Sequence, residues 1–438
     1  MRQAPSGACD VAVIGAGVIG SSIALEMARH GYAVTVVDKA GGVGHGSTSA
    51  SSAIVRFNYS TFAGVALAWE SLHAWQDWAG HLGPLSSAHG AEVARFRRTG
   101  MLVVPAEASI TQATAELFDR AGVPWQRWTA RDMAEHAPAL DPRAFGPPCP
   151  VDSEEFFAPA HGELDGLWTP DAGYVDGPQL ATQNLADAAR GHGARYLLRQ
   201  AVTGLRRHAG RWTVSTSALD MDAEVVVNAA GPWSGRVNAM AGVERDFGVH
   251  TRPMRQEVHH VATPAGYDGD GAVALADLDL GTYLRPTGDG HLLVGGTEPE
   301  CDPLEWVEDP DAVDPRPTAD LFRAQVTRAA RRLPALGVPS RPSGVVGVYD
   351  VTDDWTPVYD RTCEPGLFVA IGTSGNQFKN APVVGRLMRS LIEAARAGHD
   401  HDHDPVQLVL PRTGHTIDLG TFSRLRTAES DAPHSVLG

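Results

Sequence analysis

Three glycines and one acid carry the first chemistry legible in the chain. Gly15, Gly17 and Gly20 stand at the spacing G-x-G-x-x-G, and Asp38 follows 18 positions after the last of them. In such a turn the first glycine permits a tight bend, the second lets backbone approach a pyrophosphate, and the third lets helix and strand pack closely. The N-terminus of the following helix faces the phosphate charge, and an acid ending the next strand accepts from a ribose hydroxyl. Val18 and Ile19 inside the turn, and Lys39 beside the acid, belong to the same candidate surface. A lone G-x-G-x-x-G says little. Here Asp10 to Gly15 reads as a buried strand, Ser21 to His30 as a helix ended by Gly31, and Ala33 to Val37 as a second strand. A dinucleotide site is expected, and the motif alone does not choose between a flavin and a nicotinamide.

Small-residue clusters recur far from this turn. Gly46-Ser47-Thr48-Ser49 leads through Ser52 and Ala53 to Arg56. The apolar run Glu224 to Asn228 ends in Ala229-Ala230-Gly231, with Trp233 just beyond, and Val202 is a further candidate contact. Gly366 to Gly372 reads as a buried strand that feeds Thr373-Ser374-Gly375-Asn376-Gln377 and then a helix from about Phe378 to 397. A second glycine-rich strand-to-helix turn aims backbone N–H groups and a positive dipole end at a ligand. Two such turns and an Ala-Ala-Gly strand end fit a cofactor too large for one βαβ unit.

The elements that position these residues fit an α/β chain. Its 438 residues suggest two or three domains, and 43% hydrophobic with 20% charged residues describes a globular protein with a sizeable core. A net charge of −16 argues against nucleic acid and anionic membranes as partners. Four scattered cysteines without a CxxC pair exclude a disulfide framework or zinc ribbon and fit a reducing compartment. Met1 to Ala8 is short and polar, unlike a secretory signal, and no apolar run approaches the roughly 20 residues of a membrane span, so a soluble cytoplasmic protein is expected.

Residues 61–82 place Leu67, Trp69, Leu72, Trp75 and Trp78 at helical spacing, a core stripe. Further helices are expected at 111–122, 131–137 and 180–192. Strands are expected at 101–104, 194–198, 212–216, 257–262, 281–285 and 291–295, with 141–171 a loop region. The His-Asp alternation from His399 to Asp404 reads as a solvated tail, and no metal site is expected.

Taken together, the residues resemble the FAD-dependent amine and amino-acid oxidoreductases of the D-amino-acid oxidase family, near glycine oxidase and sarcosine oxidase, from about residue 9 to 398. The matching pieces are the 15–20 fingerprint with Asp38, the Gly46 loop, Val226 to Ser234, Tyr283-Leu-Arg-Pro286 with Gly295-Gly296, Gly347-Val-Tyr-Asp350 through Thr352, Asp354 and Pro357, and Gly372 to Lys379. The resemblance implies a Rossmann-like, glutathione-reductase-like FAD-binding domain from 8–97, 172–249 and 343–398. It implies a discontinuous substrate domain on a mixed or antiparallel sheet from 98–171 and 250–342, with 399–438 left as a tail.

The sarcosine-oxidase pattern also implies that Arg56 and Lys379 grip a substrate carboxylate, because paired cations in a desolvated pocket fix the α-carbon over the ring. Where the glycine-oxidase pattern has an arginine, this chain has Tyr349. Tyr283, Arg285, His259 and His260 complete the candidate pocket. The cysteine that carries covalent flavin in sarcosine oxidase falls at Gly347. Ser49 occupies the region of the histidine used for attachment in related dehydrogenases, with His45 out of register, so non-covalent FAD is expected. The lysine associated with oxygen reaction aligns with about Leu293, which leaves oxygen or another electron acceptor open.

The activity implied is oxidation of the C–N bond of an amino acid or N-substituted glycine by hydride transfer to flavin N5, with the imine then hydrolysed. Its rivals are a 2-hydroxy-acid dehydrogenase with the same grip and a flavoprotein subunit of an electron-transfer complex.

Overall fold

Strand Ala8–Ile14 is almost wholly buried, as its β-branched run requires, and pairs in parallel with Val34–Val37 on one side and Asp220–Asn228 on the other. The computed structural model describes residues 8–83, 92–105, 108–269 and 272–428. Arg195–Leu197 extends the sheet beyond Val34–Val37, and Leu367–Ile371 joins Asp220–Asn228 in parallel. An antiparallel hairpin, Val202–His208 with Arg211–Thr216, completes the far edge. Helices Val18–Arg29, Pro178–Gly191 and Ala381–Arg396 pack together against this eight-stranded sheet. The α/β fold is as expected, and this sheet draws its strands from distant segments of the chain.

The Leu67–Trp78 stripe is core. It lies on helix Phe62–Gln76, which breaks at Asp77, and on the short Trp78–Leu82, where the Asp77 side chain accepts from Gly80 N. Trp75 stacks between Trp78 and Phe378, joining this helix to the late glycine turn.

The second sheet has nine strands. It is antiparallel except where Met101–Val104 runs parallel to Ala274–Asp277. Helix Ala319–Arg332 covers one face with Phe322, Val326 and Ala329 against Leu284, Leu292 and Val294. The other face carries Tyr283 and Tyr349 toward the cofactor domain.

Three expectations change. Gly344–Thr352, expected in the cofactor domain, pairs along Thr251–Ala262 from His259↔Gly344 to Thr251↔Thr352 and so belongs to the second sheet. The reason is a continuous run of ladder partners that periodicity in the strand itself does not reveal. Within the 141–171 loop region, Gly166–Thr169 forms a strand against Met101–Val104.

The solvated tail is the third change, for residues 399–428 are folded. Leu408, Leu410, Ile417, Leu419 and Phe422 enter the main core. His401 is buried beside Asp360, and Arg424 pairs with Asp246, Asp360 and Asp402. Alternating His and Asp looks solvated in sequence because the arginine that neutralises it lies some twenty residues on. Residues 1–7 and 429–438 lie outside the described residues, and with them most of the Met1–Ala8 expectation. Among the described residues all four cysteines are free and no helix is long and apolar enough to cross a membrane.

Candidate active site

The first glycine turn builds a cavity of about 390 Å³. Gly15 adopts φ +111°, and a Cβ there would lie 2.2 Å from the Ala229 carbonyl oxygen, so only glycine lets the two strand ends close together. A Cβ on Gly20 would meet Gly15 O at 2.0 Å, which fits its expected helix-packing role. Helix Val18–Arg29 starts from Gly17 without a side-chain cap from that residue. Its dipole end faces the cavity. Asp38 accepts from Ala16 N at 2.7 Å and from Ala40 N at 2.7 Å, which fixes its carboxylate at the end of Val34–Val37.

Most expected cofactor contacts line this cavity: Gly15, Gly17, Val18, Ile19, Asp38, Lys39, Gly46, Ser47, Thr48, Val202, Ala229, Ala230, Gly231, Trp233, Gly375, Gln377 and Phe378. Ser52 and Ala53 line a second cavity instead. Gly20, Ser49, Gly347, Gly372, Ser374 and Asn376 line neither, and their contacts are structural. Ser49 bonds Gly46 O, and Ser374 bonds Thr352 N and Gly372 O. Asn376 bonds Trp355 O. A Cβ on Gly347 would press on Ala50, and one on Gly372 on Thr352.

The second cavity is small, about 40 Å³, and shares Ser51, Tyr349, Gly375 and Phe378 with the first. Arg56, Lys379, Tyr283 and Tyr349 meet there. Both tyrosines lie over glycines: a Cβ would fall 2.3 Å from the Tyr349 ring at Gly375, where φ is +68°, and 2.3 Å from the Tyr283 ring at Gly295.

Lys379 is 4% exposed; its Nζ donates to Tyr59 Oη at 3.2 Å and to Asn376 O at 2.6 Å. Burial first, and the Arg56 guanidinium second, hold its ammonium well below the ordinary lysine range. Arg56 is itself buried, donates to Asn58 O, and has its charge disfavoured by that burial. Tyr283 is pushed up to about 12 by burial, and Tyr349 rises well above the usual phenol value for the same reason. Both are phenols that can donate at neutral pH.

Three candidates stand outside both cavities. Arg285 lines neither cavity; it donates to Ser52 O at 2.8 Å and to Pro286 O at 3.0 Å, and stacks on Tyr174 at 3.9 Å. It holds the end of the Gly46 loop. His259 faces the opposite side of its strand, edge-on to Phe322 at 5.1 Å, and burial lowers it to about 4. Strand alternation puts its neighbour His260 on the active-site face, stacked on His291 and outside both cavities.

Sequence reasoning missed Tyr59, whose ring lies between the two cations and whose hydroxyl also accepts from Asn380 Nδ2 at 3.0 Å. Asp350 and Thr373, named within motifs but not as cofactor contacts, bond at 2.5 Å on the wall of the first cavity; Asp311, which pairs with Lys39 and Arg236 at its edge, was missed. Tyr59 had one available signal, its place three residues after Arg56. Asp311 had none, since it reaches the cavity from the other domain.

A cavity walled by the G-x-G-x-x-G turn, adjoining a small pocket where Arg56, Lys379, Tyr283 and Tyr349 meet, fits a dinucleotide-dependent oxidoreductase. A model of the family described as FAD dependent oxidoreductase matches residues 10–391, and the chain belongs to that family. Its cofactor is FAD, and the glycine cradle, the helix N-terminus at Gly17 and fixed Asp38 suit it.

The chain is 26% identical over 411 residues to glycine oxidase of Geobacillus kaustophilus strain HTA426, covering 89% of this chain and 94% of that one. The solved glycine oxidase from Geobacillus kaustophilus superposes with a TM-score of 0.73 at 22% identity, over 97% of this chain and 100% of the other. L-proline dehydrogenase from P. horikoshii gives 0.72 at 24% identity, over 90% and 95%. These two structures establish the shared fold.

Proposed function

We propose that the protein oxidises the C–N bond of a small amino acid or N-substituted glycine, gripping its carboxylate with Arg56 and Lys379. The observation that carries this reading is the pair itself: two buried basic side chains line one cavity that adjoins the cofactor cavity, with Tyr349 and Gly375 lining both. A carboxylate entering this cavity would meet both side chains as charge-assisted donors. FAD, when bound, supplies the acceptor for a hydride from the substrate α-carbon.

The protein's own residues do the positioning. Arg56 and Lys379 fix the carboxylate, Tyr59 and Asn376 orient the lysine, and Tyr349 and Tyr283 enclose the amine end as hydrogen-bond donors. The small volume favours a short substrate. The resulting imine is hydrolysed by water to a carbonyl compound and an amine. Non-covalent attachment of FAD follows from glycine at position 347. The electron acceptor is oxygen or another oxidant.

The test is anaerobic reduction of the yellow protein by sarcosine, glycine, D-amino acids, N-carboxymethyl amines and 2-hydroxy acids, followed by air. Bleaching by an amine that carries a carboxylate supports the reading, and fast recovery in air identifies an oxidase. Bleaching by the hydroxy acids alone overturns it.

A further inference from the structure

On the same sheet face as Tyr283, but outside both cavities, three potential ligands converge. His260 pairs with Leu293 and His291 with Ala262, so the two histidines are diagonal neighbours on adjacent antiparallel strands. Their rings stack at 4.3 Å with an interplanar angle of 24°. Asp289, in the turn before His291, places a carboxylate beside them, and one ligand atom from each residue lies within 4.8 Å of the other two.

The turn is held. Thr287 N donates to His291 O at 3.0 Å and Thr263 N to Gly290 O at 2.9 Å, which ties the turn to the end of strand Thr251–Ala262. Thr287 Oγ1 reaches the Asp289 carboxylate, and His291 Nδ1 approaches that carboxylate at 3.3 Å. The Thr287 bond, from a residue outside the ligand set, is of the kind that orients a metal ligand.

We propose that His260, Asp289 and His291 form a binding site for one divalent transition-metal ion, with zinc as its representative. Two imidazoles and a carboxylate are the ligand set that suits zinc, nickel or copper and disfavours magnesium and calcium. Zinc takes its nitrogen and oxygen ligands at about 2.0–2.2 Å, so tetrahedral neighbours stand about 3.3 Å apart. With three protein ligands the fourth position stays open to water. Both histidines are half-buried and Asp289 is exposed, so an ion reaches the site from solvent without passing the cofactor. Binding would clip the 286–291 turn to strand Thr251–Ala262, one strand from the Arg285 that holds Ser52. The site is independent of the substrate reading.

Equilibrium dialysis of the FAD-loaded protein against zinc tests it. The expected result is one saturable zinc per chain, lost in His260→Ala and in His291→Ala, unchanged in the His399→Ala, His403→Ala control, and not matched by magnesium. Copper-loaded wild-type protein gives a second readout that needs no variant: its electron paramagnetic resonance spectrum should show coupling to two imidazole nitrogens. No saturable zinc in the wild type, equal uptake by the double variant His260→Ala, His291→Ala, or an oxygen-only copper spectrum overturns the proposal.

Discussion

The two adjoining cavities are walled by different means. The larger is built chiefly from backbone: Gly15, Gly17, Ala229, Gly231 and Gly375 bring main chain to its wall, and its charged residues are held by hydrogen bonds or at the edge. The smaller is lined by side chains brought in from distant segments, with Arg56, Lys379 and Tyr283 buried and Tyr349 half-buried. Backbone recognition suits a cofactor that stays. Buried charge suits a ligand that must be selected by its own charge and then leave. Damage to the first region should therefore cost the FAD, and damage to the second should spare FAD and cost the substrate.

The largest effect is expected at Gly15→Ala, where the new Cβ collides with backbone and φ is +111°. The purified variant should be colourless or poorly folded, and a normal flavin spectrum would contradict this account. Next comes Arg56→Gln. Truncating one partner of a buried charge pair costs about 2–5 kcal/mol. The substrate concentration for half-maximal reduction should rise by about two orders of magnitude or more while the visible spectrum stays that of bound FAD.

Asp38→Asn sharpens the comparison from the other side. Loss of a charge-assisted hydrogen bond is worth about 1.5–3 kcal/mol. FAD affinity should fall by about ten- to a hundredfold in fluorescence titrations of apoprotein, with half-saturation by substrate unchanged in the FAD-loaded enzyme.

The pH dependence follows from Lys379. Its folded pKa is lowered, so the ammonium that attracts the carboxylate is lost as pH rises through a value below 10.5. Half-saturation should therefore rise with pH across that window in the wild type and stay flat in Lys379→Met. The smallest effect is on stability. Between the lowered folded pKa and 10.5 the unfolded chain binds the extra proton, so stability rises with pH there. Lys379→Met removes the buried charge and should stabilise the apoprotein near neutrality by an amount on the order of 1 kcal/mol, read by thermal unfolding.

The same contrast explains what was legible in sequence. The Gly15–Asp38 turn is local, and its spacing encodes its backbone geometry, so most of the larger cavity can be named from residue order alone. Arg56 and Lys379 were legible only through resemblance, since nothing in their spacing says that residues 323 positions apart meet in one pocket. His259 was misplaced because adjacent strand residues face opposite sides, and the sequence does not say which side is the pocket. Arg285 has the right face but spends its donors on the carbonyls of Ser52, Pro286 and Val175. Asp311 and the folded 399–428 segment depend on partners supplied by tertiary structure alone.

The most direct test compares N-methylglycine and other carboxylate-bearing amines with the same amines lacking the carboxylate, as anaerobic reductants of the FAD-loaded wild type and of Arg56→Gln. The account predicts saturable bleaching of the wild type by a carboxylate-bearing amine, little by its decarboxylated counterpart, and a discrimination that collapses in the variant. Equal bleaching by both amines in the wild type, or discrimination that survives in Arg56→Gln, would contradict it.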